Sequence, residues 1–315
     1  MSTFAAVFPG QGSQSVGMLA ELAAAHPEVR HTFEAASDAL GRDLWQLSQE
    51  GPAEALDATE NTQPAMLAAG VAVWRVWQAQ GGCAPRAMAG HSLGEYTALV
   101  CGGALDFAEA VSLVAERARQ MQAAVPAGQG AMAAILGLDD EAVRAVCAEA
   151  ANGEVVEAVN FNAPGQVVIA GHAAAVERAV AAAKAAGARR AVPLAVSAPS
   201  HCALMEPAAE ALAPRLAAAR ITPPAVPVWQ NVDAAPHATA DEIRTALETQ
   251  LYRPVRWTDT VRGLAGEGVT HLIEFGPGKV LTGLVRRIDR ALTGLAVNDP
   301  ASLDKALALC EEMTA

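Results

Sequence analysis

Apolar and polar positions follow two different periods along this chain, and the switches between them lay out its elements. Short apolar runs at residues 4–8, 86–89, 226–229 and 270–275 have the length of buried strands. Between them apolar positions recur at helical spacing over 19–40, broken near His26 and Pro27, and over 63–80, where Leu67, Val71, Trp74 and Val76 stand among alanines. Further helices are predicted at 107–124, closed by Pro126-Ala127-Gly128, at 240–251, and at 280–288 after Gly276-Pro277-Gly278. Strands alternating with helices predict a mostly parallel sheet, with its site in the loops at the carboxyl ends of the strands.

The rhythm changes after Gly128. Strand-like runs at 131–136, 155–161, 166–170 and 191–194 are interleaved with helical runs at 139–150 and 173–186. This β-α-β-β-α-β order is that of a ferredoxin-like unit, a compact piece that can be inserted into a larger sheet. The alanine-rich run 173–188 keeps Val176, Val180 and Lys184 at helical spacing, so it reads as a helix on a sheet. The expected organisation is α/β, with a large domain over 1–127 and 198–315 and an inserted small domain over 128–197.

Composition narrows the function classes. With 315 residues the chain can bury a large core, and charges interrupt its apolar stretches before they reach membrane-spanning length, so no membrane span is expected. The start of the chain lacks the basic segment of a signal peptide, which predicts a cytoplasmic protein. Five dispersed cysteines without a Cys-x-x-Cys pair, and seven histidines without His-Glu-x-x-His spacing, predict neither a disulfide framework nor a metal site. A net charge of −12 argues against nucleic acid and makes an anionic substrate depend on local basic residues.

The sharpest chemical signal is Gly90-His91-Ser92-Leu93-Gly94, lying between a strand and a helix. In a Gly-x-Ser-x-Gly turn the glycines remove side chains that would collide as strand reverses into helix, and the serine hydroxyl stands exposed at the sheet edge. Ser92 is therefore the candidate nucleophile, while His91, adjacent on the strand end, points elsewhere and reads as a packed, hydrogen-bonded neighbour. A serine needs a base from another loop, and His201, after the proline-fixed loop Ala198-Pro199-Ser200 and expected to open a helix, is the candidate. No motif names an acid to orient it. The amide of Leu93, at a helix N-terminus, suits an oxyanion, with a second donor expected from the loop Gly10-Gln11-Gly12. That loop lacks the third glycine of a dinucleotide site, so no dinucleotide is expected. Arg117 lies on a helix among Leu113, Val114 and Met121; it is either a solvated arginine paired with Glu116 or another surface acid, or a buried cation in need of a carboxylate.

Seven stretches together resemble one family. They are residues 8–14 (Phe-Pro-Gly-Gln-Gly-Ser-Gln), 90–96 around Ser92, Arg117 with Met121-Gln122, 160–166 (Asn-Phe-Asn-Ala-Pro-Gly-Gln), 199–205 around His201, 250–257 from Gln250 to Trp257, and 274–281 from Glu274 to Leu281. Found in this order over nearly the whole chain, they resemble the bacterial malonyl-CoA:acyl carrier protein transacylases, acyltransferases of fatty-acid and polyketide synthesis. The resemblance implies an α/β-hydrolase-like large domain with a ferredoxin-like small domain. It also implies Ser92 as the acylated nucleophile, His201 as base, the amides of Gln11 and Leu93 as oxyanion hole, and Arg117 as clamp for the malonyl carboxylate. Gln250 would orient His201 through its backbone carbonyl in place of an acid, and Met121 and Asn162 would touch substrate. Two positions bear on the match: Ala118 stands where glycine is frequent, and Ser200 precedes His201 as in the stand-alone fatty-acid enzymes, whereas polyketide acyltransferases often carry Phe there.

The implied reaction is ping-pong transfer of malonyl from coenzyme A to carrier protein, with no cofactor. Its alternatives are a trans-acting polyketide acyltransferase, a serine thioesterase or esterase, and a silent carrier-binding subunit. Because the chain is acidic overall, an acidic carrier needs a local basic patch, for which Arg189, Arg190, Lys279, Arg286 and Arg287 are candidates.

Overall fold

In the computed structural model, which describes residues 3–196 and 198–314, nine strands form two sheets among the described residues. Met1, Ser2, Ala315 and Ser197, the expected end of the insert, lie outside them. The strands are β1 (Phe4–Phe8), β2 (Ala87–Gly90), β3 (Gly130–Leu136), β4 (Val156–Ala163), β5 (Gln166–His172), β6 (Arg190–Pro193), β7 (Val228–Trp229), β8 (His271–Phe275) and β9 (Thr293–Val297).

The first sheet has the order β7-β2-β1-β8-β9 and every pairing in it is parallel. β1 is buried on both faces, which its uninterrupted apolar sequence demands. Side chains alternate across a strand, so Phe4, Ala6 and Phe8 enter one core and Ala5 and Val7 another. On the first side the helices Thr59–Ala79 and Phe107–Ala124 pack down. There Phe8, Trp74, Trp77 and Phe275 meet edge-on, with Trp74 and Phe275 ring centroids 5.2 Å apart. On the second side lie Trp229, Val255, Trp257, Leu272 and Leu284. Because all five strands run one way, the loops following β1, β2, β7 and β8 emerge at one edge.

The second sheet, β4-β5-β3-β6, is antiparallel, and its order is that of a ferredoxin-like unit. One face carries Ala133, Ile135, Val167 and Ile169 against the helices Asp140–Ala151 and Ala173–Ala185. The other face presents Met132, Val168 and Ala170 to Cys202, beside His201. The small sheet is thus sealed by its own helices on one side and closes over the candidate site on the other.

Several elements went unread in the sequence: the helices Leu44–Glu50, Trp257–Gly266 and Pro300–Thr314, and the edge strand β9. They are short or carry mixed patterns that one period does not capture. Cys83 and Cys310, 227 residues apart, are paired through sulfur, against the expectation of no disulfide. No spacing motif joins two cysteines so distant. No described helix is long and apolar enough to cross a membrane.

Candidate active site

β2 ends at Gly90, the His91 amide donates to the Phe8 carbonyl at 3.0 Å, and the helix Gly94–Cys101 begins after Leu93. A Cβ at Gly90 would overlap the backbone of Gly94, and one at Gly94 the carbonyl of Phe8, so neither position admits a side chain. Ser92 between them has φ of 52°, in the left-handed region, a conformation that costs on the order of 1–3 kcal/mol and is held only by its surroundings.

His201 also has positive φ, 68°, and its amide donates to the carbonyl of Leu251 at 2.9 Å. It does not open a helix as expected: it sits in a turn, with a 3-10 turn at Ala203–Met205 and the helix Glu206–Ala218 following. Its Nδ1 lies 2.7 Å from the backbone carbonyl of Gln250, the last residue of the helix Ala240–Gln250. A carbonyl only accepts, so Nδ1 must carry the proton and Nε2 is left bare. That Nε2 lies 2.7 Å from Ser92 Oγ, in position to accept its proton. His201 is buried, and desolvation first, then the neighbouring positive charge of Arg117, pull its pKa down to about 3. It is therefore a neutral base throughout the physiological range.

Arg117 is only 1% exposed, on the helix Phe107–Ala124 whose start is capped by Asp106. Its Nη1 donates to Gln63 Oε1 at 2.7 Å and its Nη2 to Gln250 Oε1 at 3.0 Å; Nη2 also lies 3.4 Å from Ser92 Oγ. Nε has no partner. The solvated alternative fails because the side chain is buried, and Glu116 pairs instead with Arg119 and Gln120. No carboxylate hydrogen-bonds it among the described residues: the partners are the amide oxygens of Gln63 and Gln250, which orient the guanidinium without adding a negative charge. Burial lowers the pKa of Arg117 below the ordinary arginine value, opposed by Tyr96 and Glu95.

An inner cavity of about 110 Å³ brings together Ser92, His201, Arg117, Gln11, Leu93 and Met121. An adjoining cavity of about 400 Å³ is lined by Asn162, Gln166, Val280 and Leu284 and shares Gln11, His91 and Asn160 with the first. Of the predicted residues, Asn162 and Gln250 do not line the inner cavity: Asn162 lines the outer one, its Oδ1 2.7 Å from His91 Nε2, and Gln250 reaches the site by hydrogen bonds to His201 and Arg117. His91 is thus the packed, hydrogen-bonded neighbour expected, its pKa lowered by burial. Gln63 and the side chain of Gln250 went unread. The available signal was a polar side chain on the buried face of an apolar helix, which for Gln63 is visible between Thr62 and Met66.

The family model described as "Acyl transferase domain" matches residues 5–296. The malonyl CoA-acyl carrier protein transacylase of Escherichia coli K12 is 62% identical over 309 residues, covering 98% of this chain and 100% of that protein. The Bacillus subtilis protein of the same name is 47% identical, covering 99% and 98%. Among solved structures, a malonyl transacylase in complex with a type II polyketide acyl carrier protein superimposes with a TM-score of 0.97 at 59% identity, covering 98% of this chain and 100% of that one. An acyl carrier protein S-malonyltransferase from Vibrio cholerae gives 0.94 at 59% identity, covering 96% and 99%.

Proposed function

We propose that this chain, which belongs to the acyl transferase domain family, moves a malonyl group from malonyl-CoA to the phosphopantetheine thiol of an acyl carrier protein through a covalent malonyl-Ser92 intermediate. The observation that carries the reading is the meeting, at one hydroxyl, of a neutral imidazole and an uncompensated guanidinium. The first makes a nucleophile; the second selects an acyl group that carries its own anion.

The scheme runs as two halves. His201 Nε2 takes the Ser92 proton as Oγ attacks the thioester carbonyl, and the amides of Gln11 and Leu93 receive the oxyanion. The C–S bond then breaks, and the coenzyme A thiolate leaves with the proton from His201. The carrier thiol next gives its proton to His201 and attacks the malonyl ester, and Ser92 Oγ leaves and regains a proton. Arg117 holds the malonyl carboxylate throughout, with Gln63 and Gln250 keeping its fork in plane and Met121 walling the acyl end. Asn162, in the outer cavity, faces the arm of the thioester. Gln250 replaces the missing acid, since a carbonyl acceptor on Nδ1 selects the working tautomer without adding charge.

Every group in the scheme comes from the chain or its substrates, so no cofactor enters it. In this reading residues 128–197 form the inserted domain, and 1–127 with 198–315 the catalytic one. Ser200 before His201 favours fatty-acid over polyketide synthesis. The carrier thiol must stay reduced to act as acceptor, and on that ground we place the reaction in the cytoplasm, against the pairing of Cys83 with Cys310.

Intact-mass measurement after mixing with malonyl-CoA tests the proposal. The expected result is a malonyl adduct on Ser92 that carrier protein discharges quickly and water slowly. Rapid release of free malonate would make the protein a hydrolase, and absence of an adduct a silent subunit.

A further inference from the structure

Two buried polar side chains at the elbow have no part in the scheme above. Glu95 and Asn231 are both 0% exposed. β7 pairs in parallel with β2, Ala89 opposite Trp229, so continuing both chains beyond the sheet edge carries Asn231 to the level of His91. From there its side-chain Oδ1 accepts from the Ser92 amide at 2.7 Å, and its Nδ2 donates to the Gly90 carbonyl at 2.7 Å. One amide group thereby grips the chain on both sides of His91. Asn231 is gripped in turn: its backbone N–H donates to Glu95 Oε2 at 2.6 Å.

These bonds answer a particular problem. Ser92, with φ of 52°, stands at the turn between β2 and the following helix, and a buried unsatisfied N–H there would add to the strain of the turn. Asn231 supplies the acceptor. It also takes the Ser92 amide out of contention as an oxyanion donor, leaving that task to neighbours.

We propose that Glu95, acting through Asn231, is a positioning residue for Ser92: its carboxyl fixes Asn231, and Asn231 fixes the Gly90 carbonyl and Ser92 amide so that the hydroxyl stays aimed at His201. Burial raises the Glu95 carboxyl to about 8, so it stands uncharged at neutral pH, and glutamine can reproduce its acceptor oxygen. The proposal rests on the reading of Ser92 as the acylated residue.

The test is pre-steady-state acylation by malonyl-CoA in wild type, E95A, E95Q and N231A, followed by quenching and mass measurement. Burst amplitude counts folded, competent sites, and burst rate reports the aim of the hydroxyl in those sites. Misplacing a reacting group by about an ångström costs on the order of a hundred-fold. E95A and N231A should therefore slow the burst per competent site by about ten- to a hundred-fold, with E95Q close to wild type and the malonyl-CoA KM little changed. An unchanged burst rate with only reduced amplitude would show a merely structural role and overturn the proposal. So would an E95Q variant as slow as E95A. Peptide mapping of the wild-type adduct separates the two readings: an adduct away from Ser92 overturns the acyl-enzyme assignment itself, and this proposal with it.

Discussion

Arg117 and His201 converge on one oxygen: Nη2 of the arginine lies 3.4 Å and Nε2 of the histidine 2.7 Å from Ser92 Oγ. Both are basic side chains buried in the same cavity, and the arginine keeps its proton while the histidine is held without one. The positive charge of the first helps to keep the second neutral.

This coupling predicts an unusual pH profile. Reaction of Ser92 with a small neutral serine-directed reagent should stay nearly flat from pH 7 to 5, because His201 protonates only at about 3. In Arg117→Gln the second-largest cause of that depression is gone, so the acid limb should move up toward the ordinary histidine value. A limb at the same pH in both proteins would uncouple the two residues.

Selectivity for malonyl should depend on the same arginine. Breaking a desolvated charge pair costs on the order of 2–5 kcal/mol, roughly thirty-fold to several-thousand-fold. Arg117→Ala should lose that much malonyl transfer while acetyl transfer improves, and Arg117→Lys should recover only part, lacking the planar fork. The check is kcat/KM for malonyl-CoA and acetyl-CoA in all three proteins; an unchanged ratio in Arg117→Ala would remove the arginine from specificity.

Ser92→Ala should fold normally and take up no malonyl group, since the hydroxyl contributes contacts only within the cavity. His201→Ala should slow acylation by about two to four powers of ten, the range of a positioned base. Stopped-flow release of coenzyme A measures both, and wild-type rates in His201→Ala would mean that another base serves Ser92.

Stability should also depend on pH through Glu95. Its folded pKa, about 8, stands above the ordinary value of 4.5, so the folded state binds more protons than the unfolded chain between those limits. The contribution is fully present below 4.5 and is lost as pH rises through 8. Relative to wild type, E95Q should gain in Tm as the pH is raised from 5 to 8.5, and a constant difference would show that Glu95 does not titrate in this window.

The carrier protein should meet a basic rim beside the outer cavity. Arg190, Leu136 and Gln166 lie side by side across β6, β3 and β5, and Arg287 donates to Gln166 at 2.5 Å, so exposed arginines of both sheet units share one edge. Charge reversal at Arg190 and Arg287, and less strongly at Arg189, Lys279 and Arg286, should raise the carrier KM at low salt and leave that for malonyl-CoA unchanged. If no reversal moves the carrier KM, it docks on another face.

What can be read directly from the chain is whatever acts over a few residues. The buried strand over Phe4–Phe8, the two glycines that flank Ser92, and the β-α-β-β-α-β rhythm after Gly128 are all local, and each came out as expected. His201 stood out as the candidate base from its place after the proline-fixed loop, whereas Gln250 was named only through resemblance to a family, because the residues alone left the base without an orienting group. What only the tertiary structure decided is which distant groups share the edge of the parallel sheet. The order β7-β2-β1 puts Asn231 on one side of Ser92 and Gln11 on the other, and no periodicity in the chain encodes that adjacency. For Arg117 the sequence allowed a solvated pair with Glu116 or a buried pair with a carboxylate. The fold chose neither, because packing against Gln63 and Gln250 satisfies its hydrogen bonds while leaving its charge unmatched. A guanidinium's burial and its company are set by side chains 54 and 133 residues away, which only the folded chain brings within hydrogen-bond reach.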